Sequence, residues 1–123
     1  MFNGEMDQLV RSPTFVGVGG HKCASTWLSE CMRDHPQIFV SEPKELSFFS
    51  KRFDKGREWY LSYFADSVDN LQAGEFTSHY LYDANVPRRI LETLGQVRIL
   101  AVIREPVARA ESQIKYGIRH GFL

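Results

Sequence analysis

The stretch Phe15-Val16-Gly17-Val18-Gly19-Gly20-His21-Lys22-Cys23-Ala24-Ser25-Thr26-Trp27-Leu28 runs from an apolar strand through glycines into the start of a helix. Gly17, Gly19 and Gly20 permit positive φ and close backbone approach, while Lys22, Ser25 and Thr26 add a charge and two hydroxyls where free helix N–H groups converge. That combination suits a phosphate or sulfate. The glycines alone fit an ordinary βα turn; the lysine and the hydroxyls favour an anion. A nucleoside triphosphatase loop would carry Gly directly before the lysine and Ser or Thr directly after it, whereas His21 and Cys23 flank Lys22. Such an enzyme also needs an acidic residue ending a later buried strand to hold magnesium. Here the strongest later strand, residues 97–103, leads into Arg104.

Working outward, residues 14–18 read as the first strand and 26–33 as a helix with Trp27, Leu28, Cys31 and Met32 on one face. Ser25 is a natural N-cap. A turn at 34–37 leads to a short strand at 38–40, and Pro43 stops further pairing. After an irregular segment, residues 57–64 read as a helix burying Trp59, Tyr60 and Tyr63 or Phe64, and 75–77 as a short strand. Pro87 and Gly95 bracket another helix in the proline-start, glycine-stop pattern. The nearly continuous aliphatic run at 97–103 predicts a strand buried on both faces, followed by a crossover helix over 106–119. The order is α/β. Ligands on such parallel sheets collect beyond the carboxyl ends of the strands, so Lys22 and Arg104, each following a strand, are expected at one rim.

The chain has 123 residues, 43% of them hydrophobic, enough for one real core and a single domain over residues 1–123. Its formal net charge is zero, so anion affinity must be local, and neither nucleic acid nor a membrane is expected as partner. Cys23 and Cys31 are too few for a zinc site or a disulfide framework and read as small buried apolar residues. Four histidines, His21, His35, His79 and His120, show no ligand spacing, so no metal is expected. Residues 1–12 lack an apolar signal region and no run is long enough to span a membrane, which leaves a cytoplasmic location as the expectation.

Lys22-Cys23-Ala24-Ser25-Thr26-Trp27 resembles the Lys-[Ser/Ala]-Gly-Thr-[Thr/Ser]-Trp loop of the sulfotransferases. The segment 104–112, with Arg104, Pro106, Arg109 and Ser112, resembles their second signature, Arg-[Asp/Asn]-Pro-x-x-Arg-x-x-Ser. Between the two, residues 43–49, 59–64 and 74–83 are similar to the Lys-Glu-x-His-Phe-Phe, Trp-Tyr and Gly-Glu-Lys-[Ser/Thr]-Pro-x-Tyr blocks of the glycan O-sulfotransferase branch. Some positions depart from that pattern. Ala24 replaces a glycine, Ser47 a histidine, Phe76 a lysine and Ser78 a proline.

The resemblance implies the N-terminal part of a P-loop-like three-layer fold, with helices flanking a central parallel sheet that the full family fold extends. It implies transfer of a sulfuryl group from 3′-phosphoadenylyl sulfate (PAPS) to an acceptor hydroxyl, with a carbohydrate-like acceptor and no metal. Gly20, His21, Lys22, Cys23, Ala24, Ser25, Thr26 and Trp27 would then hold the 5′-phosphosulfate, and Arg104 with Ser112 the 3′-phosphate. Glu45 matches the family's catalytic glutamate and would take the acceptor proton, while Lys22 would neutralise charge on the leaving phosphate oxygen. By itself, Glu45 reads as a solvated carboxylate paired with Lys44 or Lys51. His79 lies close to the expected acceptor cleft, as a hydrogen-bonded side chain or a second base. Phe48, Phe49, Trp59, Tyr60, Phe64, Tyr80 and Tyr82 fit either core packing or a sugar groove. The rival functions are a non-catalytic or truncated sulfonucleotide-binding module and, less favoured, a small-molecule kinase.

Overall fold

A computed structural model of the protein describes residues 12–20, 25–67, 71–103 and 105–121. Four strands, β1 (Phe15–Gly19), β2 (Ile38–Val40), β3 (Gln72–Phe76) and β4 (Arg98–Ala101), form one sheet in the order β2-β3-β1-β4. Every pairing is parallel. Parallel neighbours need crossovers, and the helices α1 (Ser25–Arg33), α2 (Arg57–Leu61), α3 (Val86–Leu94) and α4 (Pro106–Arg119) lie on those connections or follow the last strand.

Side chains alternate across β1 and so divide the core in two. Phe15 joins Val40 and Phe76 on one face, covered by Leu28 and Met32 of α1. Val16 and Val18 face the other way, into a larger cluster with Leu46, Phe48, Phe49, Tyr60, Phe64, Tyr80, Val86 and Ile90. This second cluster is largely aromatic: Phe48 stacks on Tyr60 at 4.6 Å between ring centroids, and Phe49 meets Tyr60 and Tyr80 edge-on at 5.0 and 5.8 Å. Two strand glycines make room for the rings on the α1 face. A Cβ on Gly17 would lie 2.2 Å from the Phe76 ring, and one on Gly74 would lie 2.4 Å from the Phe15 carbonyl oxygen.

Several elements differ from the sequence reading, each for a physical reason. The helix expected over 57–64 divides into α2 and a 3-10 turn at Ser62–Phe64, where the Ser62 hydroxyl donates to the Trp59 carbonyl at 2.6 Å and competes with the α-helical ladder. β3 starts three residues earlier than expected because Gln72 and Ala73 pair with Ile38 and Phe39. In α1 the buried stripe is Leu28 and Met32, with Ser29 1% exposed and bonded to the Thr26 carbonyl, whereas Trp27 is 67% exposed and Cys31 is also exposed. Cys31 is therefore not the buried apolar residue anticipated. The largest correction concerns β4, which is an edge strand with Arg98, Ile99 and Ala101 exposed. Its aliphatic run predicted burial on both faces, but a strand with one neighbour is covered only where other elements reach it.

Candidate active site

Three strand ends meet at the carboxyl edge of the sheet. At β1 and β4, the Gly20 N–H donates to the Val102 carbonyl at 3.0 Å and the Val102 N–H donates to the Gly19 carbonyl at 2.6 Å. The segments that continue to Lys22 and to Arg104 thus leave from hydrogen-bonded neighbours. On the β3 side, the Thr77 N–H donates to the Gly17 carbonyl at 3.0 Å. Gly19, at φ +116°, passes so close to Ser78 that a Cβ would lie 2.1 Å from its carbonyl oxygen. Only glycine fits there. His21, Lys22, Cys23, Ala24 and Arg104 themselves lie outside the described residues, as does the Ser25 side chain, so the expected N-cap is not observed.

Glu45 sits over the same corner. Its backbone N–H donates to the Phe76 carbonyl at 2.8 Å, and its carboxylate accepts from the Ser78 N–H at 2.9 Å and the Lys44 ammonium at 3.1 Å. Burial pulls this carboxyl upward, but the Ser78 N–H and Lys44 outweigh it and hold the group below the usual carboxylate range. Glu45 and Ser47 both adopt left-handed backbone, φ 66° and 57°, a conformation that non-glycine residues keep only when their surroundings impose it. Here the surroundings do. The Ser47 N–H donates to Thr77 Oγ1 at 3.1 Å and the Phe49 N–H to the Tyr80 hydroxyl at 3.2 Å. Arg52 donates to the Leu46 carbonyl at 2.8 Å, and Arg89 donates to the Phe49 carbonyl at 3.1 Å.

Both Thr77 and Tyr80 are tied in turn to Glu75, a fully buried carboxyl that accepts from Thr77 Oγ1 at 2.7 Å and from the Tyr80 hydroxyl at 3.0 Å. Burial drives its pKa up to about 7 against the pull of Tyr60, Thr77 and Tyr80. Burial and the facing Glu75 likewise raise the tyrosine hydroxyls of Tyr60 and Tyr80. The Tyr60 hydroxyl also faces this carboxyl, without a hydrogen bond of good geometry.

The remaining predicted residues distribute as follows. Thr26 and Trp27 stand exposed on the first turn of α1, beyond the β1 end, and Ser112 is half-buried on α4. Arg109 engages Gln113 at 3.1 Å. Phe76 is 2% exposed, packed edge-on against Phe15 at 6.0 Å, so the position where glycan enzymes carry a lysine belongs here to the core. Phe48, Phe49, Tyr60, Phe64 and Tyr80 are core residues too, Trp59 packs half-buried against them, and Tyr82 is exposed. Sequence reasoning missed three parts of this corner: the Ser78 N–H, the buried Glu75 network and Glu105. Glu105 caps α4 by accepting from the Val107 and Ala108 N–H groups at 3.0 and 2.9 Å, which hold its carboxyl below the usual range. An acidic residue directly before a proline at N1 was the available signal. Among the described residues no three His, Cys, Asp or Glu side chains group as they would around a metal ion.

No family-wide sequence profile matches the chain. It is, however, 31% identical over 115 residues to the membrane-associated sulfotransferase kil1 of Dictyostelium discoideum, a match over 91% of this chain and 24% of that protein. It is 33% identical over 104 residues to human heparan sulfate glucosamine 3-O-sulfotransferase 6, covering 83% of this chain and 30% of that one. Its fold matches a crystal structure of a sulfotransferase from Alicyclobacillus acidocaldarius with a TM-score of 0.79 at 26% identity, over 91% of this chain and 52% of the other. The chain belongs to the sulfotransferase family. It spans about a quarter to a third of the length of these two curated relatives. The region matched includes the parallel sheet and the corner where strand ends meet. Among the described residues no helix is long and apolar enough to cross a membrane.

Proposed function

We propose that this chain forms the donor-binding part of a sulfotransferase that moves the sulfuryl group of 3′-phosphoadenylyl sulfate to a hydroxyl of a carbohydrate acceptor. The observation that carries this reading is the corner itself: the ends of β1, β3 and β4 converge there with Glu45, and the N-terminus of a nine-residue helix follows the glycine loop. Two features of the described backbone support such a donor. Gly19 lets the backbone run tight against Ser78, and the first turn of α1 offers N–H groups beyond the sheet edge, where anions bind.

When bound, the donor would supply an activated sulfuryl group on a phosphate leaving group. Lys22 and the loop N–H groups would neutralise charge on the 5′ side, and Arg104 with Ser112 would hold the 3′-phosphate. Glu45, ionised and fixed by Ser78 and Lys44, would draw the proton from the acceptor hydroxyl. A carbohydrate acceptor is favoured because one relative is named for 3-O-sulfation of heparan sulfate glucosamine.

Calorimetric titration with 3′-phosphoadenosine 5′-phosphate, with and without magnesium, tests the reading. Metal-independent binding, weakened at least tenfold in Lys22→Ala and Arg104→Ala, is the expected result. Magnesium-dependent binding of ATP would favour a kinase, and binding without transfer of labelled sulfate to any glycan would favour a binding module.

A further inference from the structure

Glu45 has a second neighbour that its family motif does not supply. Nδ1 of His79 lies 3.7 Å from Glu45 Oε2, and Nε2 of the same ring lies 2.6 Å from Ser50 Oγ. All three side chains are half-buried. The Ser50 hydroxyl also lies 3.3 Å from the Ser47 carbonyl, which only accepts. With the serine proton given to that carbonyl, Ser50 Oγ receives from His79 and the ring proton sits on Nε2; given to the ring instead, it leaves the ring proton on Nδ1. In the first of these states of the neutral ring, Nδ1 turns a lone pair toward a carboxylate oxygen. That arrangement is repulsive until a proton enters it.

We infer that Glu45 and His79 act as one proton-accepting pair, with Ser50 setting the tautomer, so that a proton drawn from the acceptor hydroxyl at Glu45 Oε2 comes to rest on His79 Nδ1. The inference rests on the sulfotransferase reading for the source of that proton. The acceptor O–H bond breaks as its oxygen bonds to sulfur, the sulfur–phosphate bridge breaks toward the leaving nucleotide, and the proton passes to Glu45 and on to His79. The end state is a carboxylate beside an imidazolium, a favourable ion pair. Glu45 alone is a weak proton holder, because Ser78 and Lys44 favour its ionised form. An adjacent imidazole removes that weakness. The groups about the ring include Glu45 and Lys44 from the segment before β3, Ser50, and Tyr80, whose ring lies 5.8 Å from that of His79 and whose hydroxyl is held by Glu75. The histidine lies in the 3-10 approach after β3, whereas glycan enzymes carry theirs at the position of Ser47.

The test is a nuclear magnetic resonance titration of the isotopically labelled chain, with the His79 ring signals assigned by their loss in His79→Gln. The expected result is the Nε2–H tautomer, a shift toward Nδ1–H in Ser50→Ala, and a His79 pKa lowered by about one unit or more in Glu45→Gln, a tenfold loss of proton affinity. An Nδ1–H tautomer in the unmodified chain, or a His79 titration unmoved by Glu45→Gln, overturns the pair. With donor and acceptor supplied, His79→Gln should lower kcat on the order of 10²-fold at neutral pH with unchanged affinity for 3′-phosphoadenosine 5′-phosphate. Absence of nucleotide binding with an intact Glu45–His79 coupling would count against the sulfotransferase reading alone, while nucleotide binding with uncoupled side chains would count against the pair alone.

Discussion

At position 78 a proline would have no N–H to give, and the Glu45 carboxylate would lose its 2.9 Å backbone donor. Serine there turns a departure from the family pattern into part of the site. Glu75 makes the sharper prediction at this scale. Its folded pKa of about 7 lies above the ordinary 4.5, so the protonated form is the one the fold favours. Its contribution is complete below pH 4.5 and is lost as pH rises through 7, a swing of about 3 kcal/mol. Glu45 has the opposite sign: its depressed pKa contributes above pH 4.5 and is lost as the carboxyl protonates in acid. Thermal unfolding between pH 5 and pH 8 should therefore show the unmodified chain losing stability while Glu75→Gln changes much less. Parallel curves for the two proteins would refute the assignment.

Among the elements, the parallel pairing of β1 with β3 depends on two glycines that sit where rings cross the sheet. Phe15 pairs with Gly74 and Gly17 with Phe76, so each large ring lies against a neighbour without a side chain. Gly74→Ala should cost at least about 3 kcal/mol, because the new methyl meets a backbone carbonyl that cannot move aside. Gly17→Ala meets only the Phe76 ring, so Phe76→Leu should recover part of its loss, whereas the same leucine should not rescue Gly74→Ala. Chemical denaturation of the four variants reads this directly. A second element-scale prediction concerns α4, whose first-turn N–H groups are taken by the Glu105 carboxylate. Glu105→Ala should lower the melting temperature and raise amide exchange at Val107 and Ala108, while exchange in α3 stays unchanged.

For the whole molecule, the uneven covering of the sheet is the dominant feature. The aromatic cluster closes one face, and α1 closes part of the other, but β4 and α4 leave Ile99, Ile103, Val107, Ile114 and Ile118 each more than half exposed. An apolar groove of about 600 Å³ between α3 and β4, lined by Val18, Val86, Ile90, Leu91 and Val97 among others, continues this surface. Exposed apolar area of this kind drives association. Sedimentation equilibrium should show the isolated chain self-associating as concentration rises, and Ile103→Asp with Ile114→Asp should shift it toward monomer. A monomer at all concentrations, with no change on substitution, would contradict this.

Much of the fold was legible because its signals are local. Glycines after an aliphatic run, Pro87 and Gly95 around α3, and Pro106 at the head of α4 mark element ends through backbone sterics alone. Lys44, Glu45 and the hydroxyls of the glycine loop were likewise visible as residue types at motif spacing. Burial of β4 was not legible, since the same aliphatic residues suit an edge or a centre, and neighbours decide which. Nor was the surrounding of Glu45: residues 45, 75, 78 and 79 meet only once β3 is laid beside β2, and a hydrogen bond spanning 33 residues leaves no mark in local sequence. The sequence by itself determined which chemistry was present and where elements begin. Only tertiary structure decided which groups face one another, because desolvation, register and hydrogen-bond geometry are properties of neighbours in space.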